Sequence, residues 1–568
     1  MSGRVTRMLR GVAIGVVALM LAACTGLPTS GDVSAGLELG EATDDTDLLF
    51  IASGPPPGAS PQEIVEGFLE AAITPADNWG IARTFLTPDL QQTWRPAAGV
   101  SIDATVGSRV ISSTIADDDV EAAESGDVNV QFELVANVDE FNAYSESTGA
   151  SNLTFTVERS GDGEWRIAKA PDGIVIDESR FPLVFDAYPL QYFDQDWSHL
   201  VPDVRWFPRR TSIATTVTQA LIGGAPSPWL APAVQSAFPA DVQLAEDAVP
   251  IDAAQVAEVA LTAPASRLDQ TTLARMRTQL QDTFEASGVH VSQVRFTVDG
   301  RALSAGIVKL GDDAVDPGPL VLTEDAFGLI VGDQIAPVDG ISEQILALPQ
   351  QVRSIEVAGD STQAAVQLSD GHAYLVGEGR VDEVDSRPRL IAPSLDPFGF
   401  TWTVPADDPA AVHAGENDVA TDKAWPNASA ISAMRVSPDG ARLAAVVTVG
   451  GQHWVVVVAI VRDDGVPVEL GAVEQLTRID ADTDQLVWLG TTRLGVLVPD
   501  QSPLLLTQMV GGPGSVEAAP PGARSLAGAR SATGVRVLDA GGTLFAHAGS
   551  AWREVASGVK VLATRSGE

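Results

Sequence analysis

The sequence predicts a multidomain chain: an α+β domain, then an α/β module, then an all-β C-terminal half built as a propeller of about six blades. Three observations predict it. At 568 residues the chain has material for several domains. Helical stripes, with apolar residues three and four apart, are confined to the first half, around 64–73 and 268–284. From residue 303 onward short apolar runs alternate with turn residues about every ten positions, the signature of an all-β architecture. Hydrophobic residues make up 45% and charged residues 19%, enough for a core in each domain.

The N-terminus comes first. Arg4, Arg7 and Arg10 form a basic start, and Gly11 to Ala23 carry no charge. That stretch is too short for a stable helix across a hydrocarbon core of about 30 Å, and it fits the apolar region of a signal peptide, residues 1–23. Leu21-Ala22-Ala23-Cys24 follows, holding the only cysteine. It resembles the bacterial lipobox, in which the cysteine sulfur receives a diacylglyceryl group and becomes the new N-terminus. The alternative is an ordinary signal peptide with an incidental cysteine. Acyl chains at about 0.8 kcal/mol per buried methylene would anchor Cys24 in the lipid bilayer. The expected location is therefore the extracytoplasmic side of the cell membrane.

Charge and cysteine count narrow the chemistry. Lys plus Arg number 35 against 75 Asp plus Glu, a net charge of −40. Nucleic acid is not expected as a partner, since phosphate binding draws on clustered cations. One cysteine excludes an intramolecular disulfide and cysteine-ligated clusters, and the six histidines have no metal-ligand spacing. No cofactor and no metal are expected.

Residues 24–59 are acidic and rich in Pro and Gly, ending in Gly54-Pro55-Pro56-Pro57-Gly58, and read as an extended tether. Between Cys24 and Ala82 there is no Lys or Arg, so an anionic lipid surface repels the segment. Folded structure is expected over 60–180. Ser60-Pro61-Gln62-Glu63 is a capping box with Pro at the first helical position, and Ile64, Val65, Phe68, Leu69, Ala72 and Ile73 form the apolar stripe behind it. A second helix is expected from Asp77 or Asn78, carrying Trp79, Ala82, Phe85 and Leu86. Strands follow at 108–115, 127–136 and 151–159, the last turning at Ser160-Gly161-Asp162-Gly163 into 164–167. Two helices before an antiparallel sheet look like an NTF2-like cone. Trp79, Trp94 and Trp165 read as core filling.

Residues 181–302 change rhythm. A strand from Leu183 to Phe193 leads to a second at 200–206, a helix at 212–222, strands at 249–251 and 256–262, a helix over 267–286 and a strand from Val289 to Val298. With "LVPDVRWFPR" and "ALIGGAPSPWLAPAVQSAFP", this segment is similar to the GerMN domain. The usual Asp of its "VDLS/T" strand is absent, because Val259-Ala260-Leu261-Thr262 stands there. Residues 303–568 form the propeller, with a pair of β-sandwiches as the alternative. Ser437-Pro438-Asp439-Gly440 is a turn frequent in blades: Pro fixes φ, Asp bonds the backbone and Gly takes positive φ.

Motifs for chemistry are sparse. Ser557-Gly558-Val559-Lys560 has the S-x-x-K spacing but lacks companion motifs. Asp480, Asp482 and Asp484 stand at calcium-loop positions 1, 3 and 5, yet Gln485 and Thr491 occupy the places that need Gly and Glu. Asp117-Asp118-Asp119 reads as a solvated loop. Arg205, Arg209 and Arg210 gather beside Trp206 in a chain poor in cations, as an anion or partner contact or as ordinary pairing with nearby acids.

"GPPPGASPQEIVEGFLEAA", "ARTFLT…TWRP", "GEWRIAKAPDGIVI", "YFDQDWSHLVPDVRWFPR" and "LIAPSLDPFGFTWTV" occur in that order. Together they resemble the actinobacterial lipoprotein LpqB family over nearly the whole mature chain. Four lysines against 31 arginines agree with a GC-rich source. The resemblance implies a membrane-anchored extracytoplasmic protein with a GerMN domain and a C-terminal propeller. It also implies an accessory role, without catalysis, to a two-component sensor histidine kinase in cell division and envelope homeostasis, with the kinase's extracytoplasmic domain as partner. The competing class is a ligand-binding protein for cell-wall fragments, or a hydrolase whose site is assembled from distant residues.

Overall fold

The structure, a computed structural model, describes residues 52–209, 212–310, 318–529, 531–549 and 551–566. Cys24 and Arg210 lie outside them. Among the described residues no helix is long and apolar enough to cross a membrane.

The capping box does what its spacing predicts. Glu63 N donates to Ser60 Oγ at 3.3 Å, Ser60 N donates to Glu63 Oε2 at 2.8 Å, and helix α1 (Pro61–Ala72) follows with Ile64, Val65, Phe68 and Leu69 buried. Helix α2 (Ala76–Arg83) departs from expectation. Asp77, Asn78 and Trp79 take left-handed backbone at φ 49°, 53° and 59°, and Phe85 and Leu86 lie beyond the helix. Leu86 forms a bridge to Ile167 instead. After α3 (Pro88–Thr93) come β1 (Val100–Asp103), β2 (Val110–Ser113), β3 (Ser125–Val138), β4 (Tyr144–Arg159), β5 (Trp165–Lys169) and β6 (Ile174–Asp177). They form one sheet ordered β5-β4-β3-β1-β6, with β2 on β3 and with β1 and β6 parallel. Helix α1 lies on this sheet. Phe68 meets Trp94 edge-on at 5.1 Å and Phe155 at 5.9 Å, and Trp79, Trp94 and Trp165 are all buried. Gly58 N donates to Glu164 Oε2 and Ala59 is buried, so the end of the Pro-rich run lies on this unit.

A four-residue helix, α4 (Phe181–Val184), leads into a long hairpin, β7 (Phe185–Asp194) and β8 (Leu200–Pro208), joined by β9 (Val234–Gln235). Helix α5 (Ile213–Gly223) follows β8. A second sheet pairs β10 (Val256–Ala260) with β11 (Gln293–Val298) in parallel, across helix α6 (Gln270–Ala286), and adds β12 (Arg301–Ala302). Leu273, Met276, Leu280 and Phe284 are the buried face of α6. Polar groups fix its register: Gln279 Nε2 donates to the Gln191 carbonyl at 2.8 Å, and Gln191 N donates to Thr283 Oγ1 at 3.0 Å.

The remaining strands run as antiparallel meanders at 320–336, 352–385, 394–418, 428–479, 486–518 and 523–556. The last strand, Val561–Arg565, pairs antiparallel with Leu320–Leu322 and parallel with Val352–Val357. The innermost strand of each meander touches the next, and Val561–Arg565 closes the ring. The Ser437–Gly440 turn forms as read: Ala441 N donates to Asp439 Oδ1 at 3.0 Å and Gly440 stands at φ 70°.

Candidate functional site

Strand β8 carries Arg205 and Trp206 into the place where the N-terminal sheet, the β7–β8 unit and the ring meet. Successive residues on a strand point to opposite faces, and the two side chains part accordingly. Arg205 is buried, donating from Nη2 to Asp203 Oδ2 at 2.7 Å, from Nη1 to the Phe141 carbonyl at 2.9 Å and from Nη2 to the Ala225 carbonyl at 3.1 Å. Asp203 is held in turn by the backbone N–H and hydroxyl of Ser227, each at 2.7 Å. Trp206 is also buried. Its backbone N donates to the Asn142 carbonyl, and its Nε1 crosses to the ring and donates to the Gly511 carbonyl, both at 2.8 Å. Its ring packs on Phe181 at 4.8 Å and on Tyr144 at 6.1 Å. Arg205 and Trp206 are therefore internal fasteners and not surface contacts, because both side chains are buried and bonded within the protein. Arg209 is half exposed, 3.6 Å from Asp186 and bonded to the Pro182 carbonyl.

The hairpin tip holds residues that motif reading missed. Ser198 Oγ lies 2.7 Å from Asp194 Oδ2 and 2.9 Å from His199 Nδ1, and His199 Nδ1 lies 3.3 Å from the same carboxylate oxygen. Serine, histidine and aspartate are together, but the serine and the aspartate share one ring nitrogen. A proton relay needs them on opposite nitrogens, so the cluster clasps the hairpin. Ser198 N donating to Asp194 Oδ1 at 2.8 Å completes the clasp. These bonds to the charged form hold the Asp194 carboxyl below its ordinary range despite burial, which pushes the other way.

The clasp is pressed on the ring. The His199 ring meets Phe398 edge-on at 5.4 Å, and Gln195 Oε1 accepts from Arg462 N at 3.1 Å. The Arg462 guanidinium lies 4.4 Å from the Phe398 ring and donates to Asp396 Oδ2 at 2.8 Å and to the Gly440 carbonyl at 3.0 Å. Gly440 is required here twice: by its positive φ, and because a Cβ would stand 2.5 Å from the Phe398 ring. The void left in this seam is about 10 Å³.

Between the N-terminal sheet and the β7–β8 unit the packing is open. A cleft of about 170 Å³ is walled by Trp79, Phe185 and Phe207, with Asp139 and Asn142 on one side and Ala97 on another. Trp79 is held by its Nε1 donating to the Ala72 carbonyl at 2.7 Å. Trp79 and Asn142 both have left-handed backbone, a strained state that persists only where the surroundings impose it.

The weaker motifs fall elsewhere. Lys560 pairs with Glu324 rather than facing Ser557. Asp482 faces His453 at 3.7 Å and Asp484 accepts from Gln485 at 2.8 Å. Asp117–Asp119 form a single 3-10 turn.

With this geometry in place, comparison with known proteins is informative. A family model described as "Lipoprotein LpqB, N-terminal domain" matches residues 54–182, and one described as "Lipoprotein LpqB beta-propeller domain" matches 326–562. The chain belongs to the LpqB lipoprotein family. A model described as "Sporulation and spore germination" matches 189–304, the β7-to-β12 unit. Among family members, Lipoprotein LpqB of Streptomyces coelicolor is 27% identical over 541 residues, 85% of each chain. That of Bifidobacterium longum is 28% identical over 492 residues, 81% of this chain and 80% of the relative. That of Thermobifida fusca is 31% identical over 251 residues, 42% and 39%. The tandem GerMN domains of the sporulation protein GerM from Bacillus subtilis overlay on 36% of this chain and 63% of that chain, at 15% identity. With a TM-score of 0.19 this overlay adds nothing to the family models.

Proposed function

We propose that this chain is a lipid-anchored protein of the extracytoplasmic face of the cell membrane. It acts as a non-enzymatic accessory to a two-component sensor histidine kinase in envelope homeostasis and cell division. The observation that carries the reading is how the charged side chains at the junctions are used. Arg205, paired with Asp203, also binds the Phe141 carbonyl of the N-terminal sheet, Arg462 with Asp396 is spent inside the ring, and the Ser198–His199–Asp194 cluster is spent on clasping a hairpin. A body fastened in this way offers surface, and contact with another protein needs nothing more. The family's name supports the anchor at Cys24, and the resemblance of the quoted motifs supports the kinase link. Confinement to one membrane would raise the local concentration of both partners.

The test is retention of the delipidated protein on the kinase's outer domain, beside a thermal-shift screen of muropeptides. Retention is expected. No retention together with a clear shift would reverse the reading in favour of a ligand-binding protein for cell-wall fragments, which the open cleft favours. Cys24→Ala is expected to leave the fold intact and release the protein from membranes; equal membrane retention would count against the anchor.

A further inference from the structure

The cleft between the N-terminal sheet and the β7–β8 unit has a chemistry of its own, independent of any kinase contact. Its volume of about 170 Å³ is close to the roughly 150 Å³ that accommodates one benzene in an apolar protein cavity. Three aromatic residues, Trp79, Phe185 and Phe207, each more than nine-tenths buried, line it from three separate segments. Among the described residues Asp139 is the one charged residue in its lining, and it is exposed to solvent. Asp139 Oδ1 accepts from the backbone N–H groups of Phe141 and Ala143 at 2.8 and 2.9 Å, which shapes the β3–β4 turn and leaves Oδ2 without a hydrogen-bond partner among the described residues.

Among the described residues no Lys or Arg lines the cleft, and the cations nearest in sequence are engaged elsewhere. Arg95 is bound to Asp172, and Arg209 is turned to Asp186 and the Pro182 carbonyl. Phe141, between two lining residues at the tip of the turn, leaves 65% of its surface exposed, more than any other large apolar side chain of the N-terminal sheet.

Aromatic walls attract a cation through their ring quadrupoles, and a carboxylate left unpaired beside them adds charge attraction in the same direction. We propose that this cleft is a binding site for a small organic amine: an aromatic or short aliphatic body between Trp79, Phe185 and Phe207, with its ammonium group at Asp139. The same features select against anions, because the chain's net charge of −40 and the lone carboxylate both repel them.

The test uses three probes with one body and different charge: phenethylamine, 2-phenylethanol and phenylacetate. Each is titrated calorimetrically against the full chain in zwitterionic nanodiscs, with empty discs subtracted. Phenethylamine is expected to bind at least ten-fold more tightly than the alcohol, and phenylacetate not to bind. Asp139→Asn keeps the acceptor that shapes the turn and removes the charge, so the amine is expected to fall to the level of the alcohol. Ala97→Trp, at an exposed lining position, fills the cleft and is expected to abolish binding of both. No amine binding to the parent chain overturns the proposal, as does an equal affinity for phenylacetate or amine binding unchanged by Ala97→Trp in a variant with unaltered circular dichroism.

Discussion

The β7–β8 unit has two seams, and they are built on opposite terms. Toward the ring it buries charge: Arg462 on Asp396, a clasped Asp194, and a void of only about 10 Å³. Toward the N-terminal sheet it meets aromatic side chains and leaves about 170 Å³ open. Burying an ion costs its hydration, which only partners within bonding distance can replace, so a charged seam needs close contact. An apolar seam loses only some dispersion contacts where it gapes. The seam that can afford a gap is the one that holds the candidate ligand site.

Four changes break or sharpen this contrast, in descending order of expected effect. Arg462→Ala leaves the fully buried Asp396 carboxylate without its cation, held only by the neutral donors Phe398 N, Phe400 N and Trp402 Nε1, and is expected to cost about 3–5 kcal/mol in chemical denaturation. A loss below about 1 kcal/mol would mean that the ring seam does not depend on its ions.

The second change is pH. Burial, followed by the nearby Asp203 charge, pushes the Glu474 carboxyl up to about 7 from an ordinary 4.5. The folded chain therefore holds this proton more tightly than the unfolded chain. Stability is fully present below about pH 4.5, falls as pH rises toward about 7 and is flat above it. The loss is at most about 3 kcal/mol, and Glu474→Gln is expected to remove that part of the slope in melts recorded from pH 5 to 8.

The third is Gly440→Ala, which forces a left-handed alanine against Phe398 and is expected to cost about 1–3 kcal/mol. The smallest is Arg209→Ala. Its partner Asp186 is 3.6 Å away and both groups are about half exposed, so the melting curve should move by under about 1 kcal/mol.

What could be read in the sequence was local. The capping box at Ser60 and Glu63, the buried face of α6, the 160–163 turn and the Asp439–Gly440 turn each depend on neighbours within a few residues, and each formed as read. The left-handed run at 77–79 was not legible, because helical spacing continues through it and what holds Trp79 is the Ala72 carbonyl. Strands β1 and β6 are four residues each and pair across more than seventy positions, too short and too distant for periodicity to reveal. The cluster at Arg205 was noticed, but its partners Phe141 and Ala225 are 64 and 20 positions away, so spacing could not decide between ligand and internal brace. The cleft draws its walls from six separate stretches of chain, and only their assembly brings them together.

The strand Val561–Arg565 is synthesised more than two hundred residues after the two strands it pairs with. Until it emerges, Leu320–Leu322 and Val352–Val357 each present a raw β edge, the kind of template on which nascent chains stick to one another. A chain cut just before Val561 would leave the whole ring unlatched.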